Sequence, residues 1–268
     1  MPHKTPPVND GSDKNALLEN EVLNAELSRG NLAVETGFSI RRTFTALKYP
    51  NYKLWFWGQM ISMLGTWMQV TAQGFLIYDL THSPAYLGYV GFASGLPTWI
   101  FMLYGGVIAD RISKRKVLMI TQSIMMFLAA VLAGLSFSGM VQPWHIIILA
   151  FLLGTANAFD APSRVSFVNE LVDKPDLTNA IALNSTMFNT ATATGPAIAG
   201  ITYAIAGPAW CFTINALSFI GVLIALKKMK IKERIIPVSG RSAFEDIKEG
   251  LKYIAKHPVV RILILLVA

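Results

Sequence analysis

Charge is scarce in this sequence. Asp, Glu, Lys and Arg together make up 15% of its 268 residues, where soluble domains are nearer about 25%. Cysteine is scarcer still. Cys211 stands alone inside an apolar stretch, which excludes an intrachain disulfide and a cysteine-based metal site and reads as a small buried hydrophobe. The sequence also lacks paired His and Glu at metal spacing, a nucleophile with a base in reach, and a phosphate-binding loop. It therefore predicts no enzyme, no catalytic residue, no metal and no cofactor. The first residues lack the apolar core of a cleavable signal peptide.

What is present is hydrophobicity in long runs. The chain is 53% hydrophobic, and no Asp, Glu, Lys or Arg interrupts Leu54–Tyr78, Pro84–Ala109, Val117–Phe159 or Leu177–Leu226. A bilayer core of about 30 Å needs about 20 apolar residues of helix, so these runs hold one, one, two and two spans. The expected spans are Leu54–Tyr78, Pro84–Ala109, Val117–Phe137, Pro143–Phe159, Asn179–Ala206 and Pro208–Leu226. The fold class is thus an all-α membrane protein. The formal charge of +7 does not gather into one patch for nucleic acid; it flanks the apolar runs.

The links between spans alternate. Asp79–Ser83, Ser138–Gln142 and the Gly207 turn carry no Lys or Arg. Segments 110–116, 160–178 and 227–257 carry four, two and nine, and the chain through Lys53 carries seven. Basic links stay in the cytoplasm, which places the N-terminus there. Residues 1–37 read as a disordered tail, allowing a short helix at Ala16–Leu27, and 38–53 as an interfacial segment. Residues 54–226 form the transmembrane bundle. Residues 227–257 form a basic cytoplasmic linker with an amphipathic helix at Ala243–Ala255. Residues 258–268 are too few to cross a bilayer and read as the truncated start of a seventh helix.

Three patterns are candidate functional features. In the first span Gln59, Ser62, Thr66, Gln69 and Gln73 recur at three and four residues, a polar stripe on an apolar helix. Such a stripe lines a solute cavity or makes interhelical hydrogen bonds; both readings stay open. Asn184, Asn189, Thr190 and Thr192 on the fifth span are candidates for the same cavity. In the link after the second span, Asp110 sits at a helix C-terminus, where the macrodipole disfavours a carboxylate. It therefore needs a partner, either Arg111, Arg115 or another helix's N-terminus. In the fifth span Pro196 frees the carbonyl of Thr192, so a kink is expected, and Gly195, Ala199, Pro196 and Gly200 offer small residues for close packing. No span holds a mid-depth carboxylate. Asp79 and Asp160, at span ends, are candidates for proton titration but read first as interfacial caps, as does His145.

Gly106, Asp110, Arg111, Arg115 and Lys116 fall in register with the Gly-x-x-x-Asp-Arg-x-Gly-x-Arg-Arg loop of the major facilitator superfamily, which the chain resembles. Ser113 replaces the second glycine. Gly195, Pro196 and Gly200 resemble the end of that family's antiporter motif, with Ala199 for one glycine and the upstream glycines missing. Tyr-Pro-Asn-Tyr-Lys-Leu-Trp-Phe-Trp-Gly-Gln, Gly-Thr-Trp-Met-Gln, Asn-Ala-Phe-Asp-Ala-Pro-Ser-Arg and Asn-Ala-Ile-Ala-Leu-Asn-Ser resemble the branch containing the enterobactin exporter and other secretion effectors. Thr192 lies where that branch often carries Arg. The resemblance implies a six-helix N-terminal bundle built as an inverted 3+3 repeat, with the Asp110 loop in an inward-side gate. It further implies a proton-coupled exporter of a small amphiphilic or siderophore-like molecule in a bacterial cytoplasmic membrane. The implied partners are the bilayer, that solute and a C-terminal half. The rival reading is a non-transporting fragment or a membrane scaffold or sensor whose basic linker binds lipid. Asp110→Asn separates them: a gate residue is expected to lose transport in a solute-flux assay, and unchanged flux favours the structural or scaffold reading.

Overall fold

The computed structural model describes residues 44–230, without the side chains of Met102, Leu103, Ala109 and Asp110. The expected tail 1–37, the interfacial segment before Phe44, the linker beyond Lys230 with its Ala243–Ala255 helix, and 258–268 lie outside the described residues.

Among the described residues there are six α-helices: α1 Pro50–Thr81, α2 Pro84–Arg111, α3 Lys114–Phe137, α4 Pro143–Leu171, α5 Leu177–Ala206 and α6 Pro208–Lys228. Proline opens α1, α2, α4 and α6, where its missing N–H costs nothing and its fixed φ suits the first turn. Gly207 at φ 85° alone joins α5 to α6. The shortest helix, at 21 residues, is about 32 Å long at 1.5 Å per residue. By length and apolarity together, α3, α4 and α6 qualify as membrane-crossing. Helices α1, α2 and α5, at 32, 28 and 30 residues, are also long enough to cross a bilayer core. The outer surface carries large apolar side chains such as Ile205, Trp99, Phe92 and Phe127, as a lipid-facing surface requires.

One boundary differs substantially from expectation. The fourth span was expected to stop at Phe159, before Asp160 and Pro162; α4 instead runs through both to Leu171. The charge does not end the helix because it is buried and partnered inside the bundle. Pro162 does not end it either, since only one intrahelical bond is lost.

Helix pairs approach closely where one side has no side chain. A Cβ on Gly105 of α2 would strike the Ala158 carbonyl oxygen of α4, the group Pro162 leaves without its helical donor, and one on Gly154 of α4 would strike the Ser94 carbonyl oxygen of α2. Thr98 Oγ1 donates across the same interface to Gly154 O at 3.2 Å. Between α1 and α6, a Cβ on Gly65 would lie 2.6 Å from both Asn215 Oδ1 and Ser218 Oγ, and one on Gly58 3.1 Å from Val222 Cα. Without a hydrophobic effect between helices in lipid, such packing carries the association. Large side chains fill the remainder: Trp55 meets Phe167 edge-on at 5.2 Å, and Phe212, Ile146 and Leu132 form a second apolar cluster.

Gly154→Leu is accordingly expected to separate α2 from α4 and to lower thermal stability in detergent by roughly 1–3 kcal/mol, the usual cost of overpacking. Gly106→Leu, where nothing lies within 4 Å of an added Cβ, is expected to leave the melting temperature nearly unchanged.

Candidate functional site

The polar stripe of α1 divides on folding. Gln59 and Ser62 are buried, and with Thr66 they line a recess of about 170 Å³. Gln122 of α3, Asn157, Asp160 and Arg164 of α4, Phe188 of α5 and Phe219 of α6 complete its wall. Further along, Gln69 turns to α6 and its Oε1 accepts from Asn215 Nδ2 at 2.7 Å. Both readings of the stripe thus apply, to different residues: one end lines a recess and Gln69 holds two helices together. Gln73 is buried outside the recess wall. Thr66 Oγ1 donates to the Ser62 carbonyl at 2.9 Å.

Asp160 is the polar centre of this wall, not the helix cap expected from the sequence. It is fully buried, eleven residues from the end of α4. Its Oδ1 accepts from Thr121 Oγ1 at 2.8 Å and from Gln122 Nε2 at 2.9 Å. Its Oδ2 lies 3.0 Å from an Arg164 guanidinium nitrogen one helical turn away, close enough for an ion pair although the angle is not that of a hydrogen bond. Two amide oxygens beside it, Gln59 Oε1 and Gln122 Oε1, are buried without a partner. Arg164 also reaches a second recess of about 430 Å³, which it shares with Asn184, Asn189, Ser185 and Phe188. Asn184 Oδ1 is buried there without a partner. Unpartnered buried oxygens cost free energy and are ready acceptors for a solute donor or a water.

The other expected residues are dispersed. Asn189 reaches the second recess, but Thr192 lines neither and its hydroxyl donates to the Phe188 carbonyl of its own helix at 2.9 Å. Thr190 is exposed. Gly195 packs against Trp67, whereas a side chain at Gly200 would meet nothing within 4 Å, so the expected small-residue face is really Gly195 and the buried Ala199. Helix α5 continues through Pro196. Asp79, at the end of α1, accepts from Tyr203 Oη at 2.6 Å. His145 closes a capping box at the start of α4, its Nδ1 accepting from the Gln142 backbone at 3.1 Å. Cys211 is buried.

In the loop after α2, Arg115 donates to the Lys227 carbonyl at the end of α6 at 3.0 Å, and Lys114 pairs with Glu170 at 2.6 Å. Arg111 is half-buried and Lys116 exposed. The tight glycine is Gly105, not Gly106. The carboxylate of Asp110 lies outside the described atoms.

Sequence reading missed Gln122, Asn157 and Arg164. The i,i+4 spacing of Asp160 and Arg164 was the available signal, hidden because α4 was ended too early. It also missed a latch before α1. Lys48 pairs with Asp176 at 2.6 Å, Tyr49 Oη donates to Asp176 at 2.7 Å and Asp173 at 3.0 Å, and Ala46 N donates to Asn179 Oδ1 at 2.9 Å. The Lys48 ammonium, and then the Tyr49 hydroxyl, hold the Asp176 carboxyl below its ordinary value.

A bundle of long apolar helices around a small recess that holds a buried carboxylate defines a multi-pass membrane protein. The chain belongs to the transmembrane secretion effector family of major facilitator transporters, which residues 42–268 match. It is 30% identical over 207 residues to the staphyloferrin A transporter of Staphylococcus aureus, covering 76% of this chain and 52% of that protein. It is 25% identical to macrolide efflux protein A of Streptococcus pyogenes, over 67% of this chain and 44% of that one. With the enterobactin exporter of Shigella dysenteriae the identity is 24%, over 79% and 51%. The chain spans about half the length of the curated relatives it matches.

Asp160→Ala removes the carboxylate from a buried pair and strands Arg164, Thr121 and Gln122. It is expected to cost about 3 kcal/mol in thermal unfolding in detergent. Asp160→Asn, which keeps an acceptor oxygen, is expected to cost less.

Proposed function

We propose that this chain is the N-terminal half of a secondary active exporter, with the recess around Asp160 and Arg164 as part of its solute path. The observation that carries the reading is the buried Asp160 carboxylate paired with the half-buried Arg164, set beside unpartnered amide oxygens of α1 and α3. Charge inside a membrane bundle is expensive and marks ion or solute pathways. In this reading α1–α6 are six spans built as an inverted 3+3 repeat. The basic links and N-terminus face the cytoplasm of a bacterium, and the rest of the transporter supplies the other wall of a midplane site. The solute is a small amphiphilic or siderophore-like molecule, in keeping with the names of the staphyloferrin, enterobactin and macrolide relatives.

Asp160 is the first candidate proton carrier, its carboxylate 3.0 Å from Arg164. Asp79 is the second candidate carrier, at the far end of α1 and engaged by Tyr203. The Asp110 loop, with Gly106, Arg111, Arg115 and Lys116, acts as the gate against the other half.

Everted vesicles containing the full reading frame test this. Addition of a macrolide or of enterobactin is expected to dissipate a preformed pH gradient, and Asp160→Asn is expected to abolish that response while solute binding persists. Failure of every solute to move protons, or an Asp160→Asn protein that responds as wild type, would sink the reading.

A further inference from the structure

The outer surface between α1 and α6 carries a groove of about 580 Å³. It exists because α6 lies close on Gly58 while Gly221, on the neighbouring turn, leaves open space where a side chain would stand. The walls are hydrocarbon and indole, chiefly Trp57 and Ile224, and both are exposed. One end is different. Lys53 and Lys228 line the same groove and are both exposed. Lys53 lies one turn nearer than Trp57 to the start of α1, and Lys228 closes α6, so both lysines stand at the end beside the basic links.

The two lysines are held in register by a clamp that has no other evident use. Asn51 Nδ2 donates to the Lys230 carbonyl at 3.1 Å, and the Lys230 N–H donates to Asn51 Oδ1 at 3.3 Å. This pair of bonds ties the chain just past α6 to the first turn of α1. Among the described residues no ion pair joins Lys53 or Lys228 to a carboxylate. Two lysines with no counter-charge among the described residues, at one end of an apolar slot on the outer surface, complement one kind of molecule. Ordinary snorkelling lysines would explain the charges but not a preformed slot ending at them.

We propose that this groove binds one anionic phospholipid, with an acyl chain in the space beside Gly221 and its phosphate between Lys53 and Lys228. The site faces lipid and is separate from the recess around Asp160, so it stands whether or not that recess carries solute.

The test uses the full chain in bilayers of defined composition and the fluorescence lost on Trp57→Phe as the signal of Trp57. Brominated phosphatidylglycerol is expected to quench that signal at a mole fraction on the order of tenfold lower than brominated phosphatidylcholine, given two basic side chains at the headgroup level. K53Q/K228Q is expected to erase the difference and K53R/K228R to keep it. G221L, which fills open space and need not disturb folding, is expected to protect Trp57 from both lipids. Equal quenching by the two lipids in the wild type overturns the proposal, as does a K53Q/K228Q protein that keeps the preference. Quenching of G221L at the wild-type level overturns it as well. If neither lipid reaches Trp57, another part of the chain occupies the groove and the proposal fails.

Discussion

Hydrocarbon cannot accept or donate a hydrogen bond, so each polar group that these helices turn inward has to be satisfied within the protein. Asp160 shows how far that constraint shapes the bundle. Its carboxylate draws Thr121 and Gln122 of α3 to one oxygen and Arg164 of its own helix to the other. With those partners, α4 can carry a charge into the interior and continue to Leu171. Without them the charge would have to lie at a helix end. Gln69 and Asn215 meet the same requirement between α1 and α6. The polar residues of the interior therefore act as cross-links between helices as well as lining a recess.

The second constraint is steric. Helices that are apolar on the outside gain little from meeting one another in lipid, so the contacts must be close to count. Gly105 and Gly154 bring α2 and α4 together, and Gly58 and Gly65 do the same for α1 and α6. The absent side chains have two results. They let backbone atoms touch, and, where a neighbouring position such as Gly221 is also bare, they leave a slot on the lipid side. The groove toward the bilayer arises from these small residues, whereas the recess toward the interior is walled by larger polar and aromatic side chains.

Sequence and structure agree on much of the architecture for a simple reason. Long uncharged runs separated by Pro and Gly leave few alternatives to a row of helices, and five of the six expected spans differ from the observed helices by four residues or fewer at either end. The fourth failed because Asp160 and Pro162 are local stop signals whose effect depends on partners far along the chain. Gly106 and Gly200 stood out in the sequence through their motif positions, yet it is Gly105 and Gly195 that touch another helix. Thr192 shared the fifth span with Asn189, but a hydroxyl can bond its own helix, and this one does.

The sequence by itself determined the kind of protein this is, because hydropathy, the spacing of Lys and Arg and the loop after α2 are all local properties read along one strand of text. It also contained the stripe from Gln59 to Gln73, since a helix fixes which residues share a face. Only the tertiary structure decided which end of that stripe would meet Gln122, Asn157 and Asp160 and where it would meet Asn215. That outcome depends on how α3, α4 and α6 rotate against α1. The rotation is set by glycine contacts and by buried hydrogen bonds, one of them between residues 146 positions apart, which no periodicity within a single helix records.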